Sequence, residues 1–145
     1  MWYVDDCKVS HVDPEVVSNF VDELKGHFGG LKSTRGNEHT FLGIIFEINE
    51  DKTIELEMIE QLNEAIEAFG EVITGTAATP SKPYLFSVRE DVELLNKEKS
   101  EIFHSVVMKL LYVMKRARPD LETTVAFLST RVSRSTIDNW YKLKR

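Results

Sequence analysis

The chain has 145 residues, 42% apolar and 29% charged, which bounds it to one ordinary globular domain or a piece of a larger one. No apolar run approaches the roughly 18 residues of a membrane span, and no charged-apolar-small pattern opens the chain, so neither a membrane protein nor a secreted one is expected. The single Cys7 excludes an internal disulfide and points to a reducing, intracellular setting, while the net charge of −6 argues against a simple stand-alone polyanion binder.

The first stretch is Trp2-Tyr3-Val4-Asp5-Asp6-Cys7-Lys8-Val9. Strand-favouring residues flank two adjacent carboxylates, which predicts a β-hairpin with Asp5 and Asp6 at its tip. Neighbouring strand residues point to opposite faces, but at a turn both side chains can approach one cation. The plainer reading of such a pair is a solvated turn. Asp13-Pro14-Glu15 then starts a helix: Asp13 caps, Pro14 fits the first turn and Glu15 suits the positive end of the dipole. Val16, Val17, Phe20, Val21, Leu24 and Phe28 share one face of it, and Gly29-Gly30 ends it.

Leu31 to Thr34 reads as a short extended piece and Arg35 to Glu38 as a turn. His39 to Ile48 is a β-rich run, Asn49 to Lys52 a polar hairpin turn, and Thr53 to Glu57 the returning strand. Gly43 inside the first strand favours a bulge over a ligand contact. Met58, Ile59, Leu62, Ala65, Ile66 and Phe69 repeat at helical spacing up to Gly70. Periodicity then fades, and the small-residue, Pro-bearing segment from Thr74 to Pro83 is the best internal boundary.

The last third is helical. Asn96 is the expected cap of a helix whose stripe from Ile102 to Met114 is core rather than a cofactor box. Lys115, Arg116 and Arg118 follow, Pro119 breaks the helix, Asp120 restarts one, and a last short helix runs from about Ser135. Residues 1–96 hold 7 Lys+Arg against 19 Asp+Glu, whereas residues 97–145 hold 11 against 5. A basic tail of this kind can track a phosphate backbone. It can equally be an ordinary solvated helical surface. The four His are scattered without metal-ligand spacing.

Several motifs stand in one order: Tyr3-Val4-Asp5-Asp6, a helix, Phe41-Leu42-Gly43-Ile44, a hairpin, Phe69-Gly70, Ala78-Thr79-Pro80, Phe103-His104-Ser105, Leu110-Leu111-Tyr112, Ala117 to Leu121, Thr124 to Ser129, and Trp140 to Arg145. The ordered set closely resembles the reverse transcriptase region of copia-type retrotransposon polyproteins, over essentially the whole chain. The resemblance implies an α+β fold: a partial right-hand palm in residues 1–57, with a small antiparallel sheet from residues 2–11 and 39–57 packed on one helix. A thumb-like helix and connector follow in 58–93, and a helical thumb and connection segment in 94–145.

The implied chemistry is nucleotidyl transfer on an RNA template and DNA primer from deoxynucleoside triphosphates, with two Mg²⁺ ions in the intact polymerase. Asp5 would be the principal metal ligand and Asp6 the supporting one. Tyr3 would sit near the primer terminus or template, and Phe41, Leu42 and Gly43 would belong to the hairpin that holds the primer end. The implied location is cytoplasmic, in a virus-like particle, or nuclear.

In the family a third carboxylate lies upstream of the position of Tyr3, as do the fingers, and the chain read from Met1 contains neither. The expectation is therefore a polymerase fragment that is catalytically incompetent alone. The alternatives are a non-catalytic nucleic-acid-binding module and a decayed, barely folded remnant.

Overall fold

Side-chain oxygens start three of the five helices by accepting from backbone amides in their first turns. In the computed structural model, which describes Met1–Arg145, the Asp13 carboxylate accepts from Glu15 N at 2.9 Å and opens α1, Pro14–Phe28. Asn96 accepts from Lys99 N at 2.8 Å and opens α3, Lys97–Met114, which follows α2, Ile59–Phe69. Pro119 opens a short 3-10 turn, Pro119–Leu121, that leads into α4, Glu122–Ser129. Thr136 and Asn139 cap each other's backbone at the start of α5, Ile137–Leu143, a reciprocal arrangement that satisfies two otherwise free N–H groups. No helix is long and apolar enough to cross a membrane.

Five short strands form two antiparallel sheets. Strands β1, Trp2–Tyr3, and β2, Asp6–Cys7, make a two-stranded hairpin. Strands β3, Glu38–Phe41, β4, Ile44–Ile48, and β5, Ile54–Glu57, make a meander in sequence order. The α+β class holds, but the single sheet expected from residues 2–11 and 39–57 does not form, because no ladder hydrogen bonds join β1 or β2 to the meander. The continuous strand expected over His39–Ile48 is also two strands. Phe41 pairs with Ile44, which leaves Leu42 and Gly43 as a two-residue turn with φ of 53° and 70°. Positive φ at both central positions is the type I′ geometry that matches the strand twist, so Gly43 is a turn glycine and not a bulge.

The chain divides into two compact units, Met1–Glu57 and Met58–Arg145. The Thr74–Pro83 connector does lack regular structure, yet it does not divide the second unit, because the helices before and after it share one core.

In the first unit only Phe41 and Ile44 are buried apolar residues, and α1 buries none. Its predicted apolar face is half-buried at Val17, Phe20, Val21 and Leu24, while Val16 and Phe28 are exposed. In the second unit Ala65 and Phe69 of α2 meet Phe103, Val106 and Val107 of α3, Leu128 of α4 and Trp140 of α5. Phe103, Val107, Val113 and Leu128 are fully buried; each such side chain stabilises by about 1.5–3 kcal/mol relative to exposure.

Phe69 stacks on Trp140 with ring centroids 4.5 Å apart. Glu71, just past the αL glycine Gly70 that ends α2, accepts from Trp140 Nε1 at 2.8 Å and from Lys144 Nζ at 2.7 Å, and Lys99 Nζ lies 3.9 Å away. Leu85 is the buried anchor of the connector, and Leu94 bridges to Thr136. Arg89 grips Asp138 with two hydrogen bonds, one of them from Nε at 2.8 Å.

Phe69→Ala removes the stack and opens a cavity in the shared core; the expected loss is about 3–5 kcal/mol, read by chemical denaturation. The hydrogen bonds from Lys144 and then Trp140 hold the Glu71 carboxyl below its ordinary value of 4.5, with smaller help from the charges of Lys144 and Lys99. A depressed carboxyl contributes stability above its unfolded value and loses it as pH falls through its folded one. The melting temperature should therefore drop as pH falls below about 4.5, and Glu71→Gln should flatten that part of the profile.

Candidate active site

Tyr3 pairs across the hairpin with Asp6, and Trp2 with Cys7. The turn therefore consists of Val4 and Asp5, not Asp5 and Asp6: the tip lies one residue earlier than expected, and Asp6 belongs to β2. The turn is closed by local bonds. Lys8 N donates to Met1 O at 2.8 Å, and the Trp2 indole Nε1 donates to Val4 O at 2.9 Å. Val4 sits at φ 49°. A β-branched residue is strained there, at a cost on the order of 1–3 kcal/mol. Val4 is 73% exposed, so no packing of its side chain offsets that strain.

Both carboxylates line the same surface of the first unit. A cleft of about 270 Å³ is bounded by Asp5 and Asp6, by Val17, Phe20, Val21 and Leu24 of α1, and by Phe41 of β3. A second cleft beside it, of about 590 Å³, is lined by the same two carboxylates with Lys32, Thr34 and Thr40. Lys8 leaves the hairpin and places its ammonium 4.0 Å from the centre of the Phe46 ring, which ties β2 to β4.

The structure thus brings Asp5, Asp6 and Phe41 to one cleft. Tyr3, 59% exposed in β1, lies outside that lining, as do Leu42 and Gly43. Phe41 itself is buried; in the turn that follows it, Leu42 is half-buried and Gly43 exposed.

Lys32, Thr34 and Thr40 are cleft residues that the sequence reading does not single out. Lys32 and Thr34 lie in an irregular stretch between α1 and β3, and no local pattern marks a loop residue as the neighbour of a carboxylate some thirty positions away.

The donor set decides what metal chemistry fits. Nowhere in the structure do three His, Cys, Asp or Glu side chains gather closely enough to hold a metal ion. A Mg²⁺ ion takes about six oxygens, and a two-ion centre needs carboxylates that bridge and flank both ions. Two carboxylates from one turn and the strand after it do not meet that demand. The residues present therefore do not fit a two-Mg²⁺ centre. What they offer is a pair of carboxylates on an exposed hairpin, beside a cleft that also carries Lys8, Lys32 and Arg35.

No family model matches the chain, and no solved structure matches it.

Asn tolerates φ near 50° far better than Val and adds no flexibility to the unfolded chain in the way Gly does. Val4→Asn is therefore expected to tighten the hairpin and to slow hydrogen exchange of the Lys8 amide by about fivefold or more, a free-energy gain within the range of such strain. Faster exchange in the variant would show that Val4 contributes packing rather than strain.

Proposed function

We propose that residues 1–145 are part of a reverse transcriptase of the copia-type retrotransposon class, spanning the second half of the palm and the helices that follow it. The observation that carries this reading is the placement of the Tyr3-Val4-Asp5-Asp6 box on a tight two-residue hairpin turn, with both carboxylates lining one cleft. The order of the remaining motifs supports it: a capped helix, then Phe41-Leu42-Gly43-Ile44 spanning the turn of a second hairpin, then a helical unit.

In this reading the reaction is attack by a primer 3′-hydroxyl on the α-phosphate of a deoxynucleoside triphosphate, with release of pyrophosphate. Asp5 and Asp6 supply two of the carboxylates required and the Val4–Asp5 turn fixes their spacing. At the Leu42–Gly43 turn a primer backbone would pass close by, because Gly43 presents no side chain. The third carboxylate of the family pattern has no counterpart among these residues, so the chain alone lacks nucleotidyl-transfer activity.

Two measurements test this. The purified 145-residue chain should give no template-directed primer extension; extension abolished by Asp5→Asn would overturn the claim of incompetence. A copia-type polymerase whose corresponding palm segment is replaced by residues 1–57 should extend primers, and the same chimera carrying Asp5→Asn should lose at least about a hundredfold in rate, as removal of a charge-stabilising group at a reacting centre does. A folded chimera that is inactive with Asp5 intact would sink the polymerase reading.

A further inference from the structure

Much of the positive charge in residues 97–145 is already neutralised or occupied. Arg118 forks onto Asp120 at 2.8 and 2.7 Å, Lys109 pairs with Glu64 at 2.6 Å, and Arg116 lies 3.7 Å over the Tyr112 ring while donating to the Tyr112 carbonyl. Within the basic cluster after α3, Arg118 is neutralised by a carboxylate, whereas Arg116 has the Tyr112 ring and carbonyl as its partners.

A second group of cations lines a cleft of about 540 Å³ in the second unit, between the 82–89 stretch that ends the connector and α5. That volume is in the range of small-ligand sites. Three cations on its walls, Lys82, Lys142 and Arg145, have no carboxylate within ion-pair distance. Their partners are neutral. Lys142 Nζ donates to the Ser87 carbonyl at 2.6 Å and stands 5.2 Å from the Phe127 ring centre. Lys82 stands 5.6 Å from the Tyr84 ring centre, and Arg145 Nε donates to the Thr79 carbonyl at 3.3 Å. The one acid in the lining, Asp138, is held by both arms of Arg89.

The surroundings add to the imbalance. Burial holds the Lys142 ammonium below its ordinary range, and the charges of Arg131 and Arg89 push the same way against Asp138. Arg131 Nε is buried with no hydrogen-bond partner. Carbonyls and rings soften this positive charge without cancelling it, so an anion entering the cleft gains from all three free cations. Two aromatic rings stand on the same walls: Tyr84 and Tyr141 are 54% and 67% exposed. An exposed ring next to cations is the pairing that holds a flat base and its phosphate together.

We propose that this cleft binds a nucleotide unit, with its phosphate among Lys82, Lys142 and Arg145 and its base on the exposed face of Tyr141. The site lies in the second unit, apart from the Asp5–Asp6 cleft, and does not rest on the polymerase reading. The nucleotide unit can come free or within a single strand.

The test uses the full chain, with fluorescein-labelled dT8 followed by anisotropy and unlabelled dTMP, inorganic phosphate and a polyglutamate peptide as competitors. Three phosphate contacts predict that dT8 affinity falls about 20-fold between 50 and 200 mM salt. Lys82→Gln with Arg145→Gln should lower the salt slope by about 1.4. Tyr141→Ala should weaken dT8 about fivefold or more. Competition by dTMP that is lost in Tyr141→Ala identifies the free nucleotide as a sufficient ligand, whereas binding by dT8 alone identifies the strand; either supports the site. Absence of dT8 binding, affinity unchanged by Tyr141→Ala in a variant with the parent's melting temperature, or displacement by polyglutamate as effective as by dTMP would overturn it.

Discussion

The second unit depends on one contact between residues 71 positions apart. Phe69 at the end of α2 lies flat against Trp140 of α5, and the indole nitrogen, which cannot be buried without an acceptor, finds the Glu71 carboxylate two residues past the helix end. That carboxylate also takes Lys144. The αL conformation of Gly70 is what turns the chain so that Glu71 reaches back to the indole rather than continuing along the helix axis. Once α2 and α5 are joined in this way, α3 is the element that fills the space between them. Phe103, Val106 and Val107 then close the core, with Leu128 from α4. The irregular stretch between α2 and α3 is carried along and pinned at Leu85 and by the Arg89–Asp138 pair.

The first unit is built differently. Its elements are held by ladders, caps and tight turns more than by burial, with Phe41 and Ile44 as the only buried apolar side chains. Local stereochemistry therefore sets its geometry: the two-residue turns at Val4–Asp5 and Leu42–Gly43 fix where the carboxylates and the second hairpin project. Both turns place a bulky residue at positive φ, where Asn or Gly would be relaxed. Strain of this kind persists when other features over-determine the turn. The Trp2–Val4 hydrogen bond and the antiparallel pairing on either side do so in the first hairpin. Half-buried Val17, Phe20, Val21 and Leu24 line the cleft beside the carboxylates, so the candidate site sets one apolar wall against two carboxylates and the cations Lys8, Lys32 and Arg35.

Charge follows the same division between local and distant causes. Arg118 and Asp120 are two residues apart and pair with each other, so their mutual neutralisation is a near-neighbour effect. The three cations of the second-unit cleft come from the connector and from the last residues of the chain, and they collect only because the connector folds back along α5. A run of basic residues in the sequence and the group of cations in the cleft thus have different origins here. The first follows Met114, whereas the second joins Lys82 to Lys142 and Arg145.

By itself the sequence determined the helices and their ends, because capping and breaking are short-range chemistry. Asp13, Asn96, Gly70 and Pro119 act on backbone groups within four residues of themselves, and they lie where the pattern places them. It also determined that Asp5 and Asp6 share a hairpin, and the order of motifs on which the polymerase reading stands. Turn register was less legible. Leu-Gly is a poor version of the Asn-Gly signal, so the break at Leu42–Gly43 hid inside an apparently continuous strand, and Val4 gave no sign of its positive φ. Only the tertiary structure decided that the two sheets stay separate, that α2 belongs with the C-terminal helices across an irregular connector, and which cations remain unbalanced. These depend on contacts between residues tens of positions apart, and the free energy of such contacts resides in packing and charge neutralisation that no local pattern encodes.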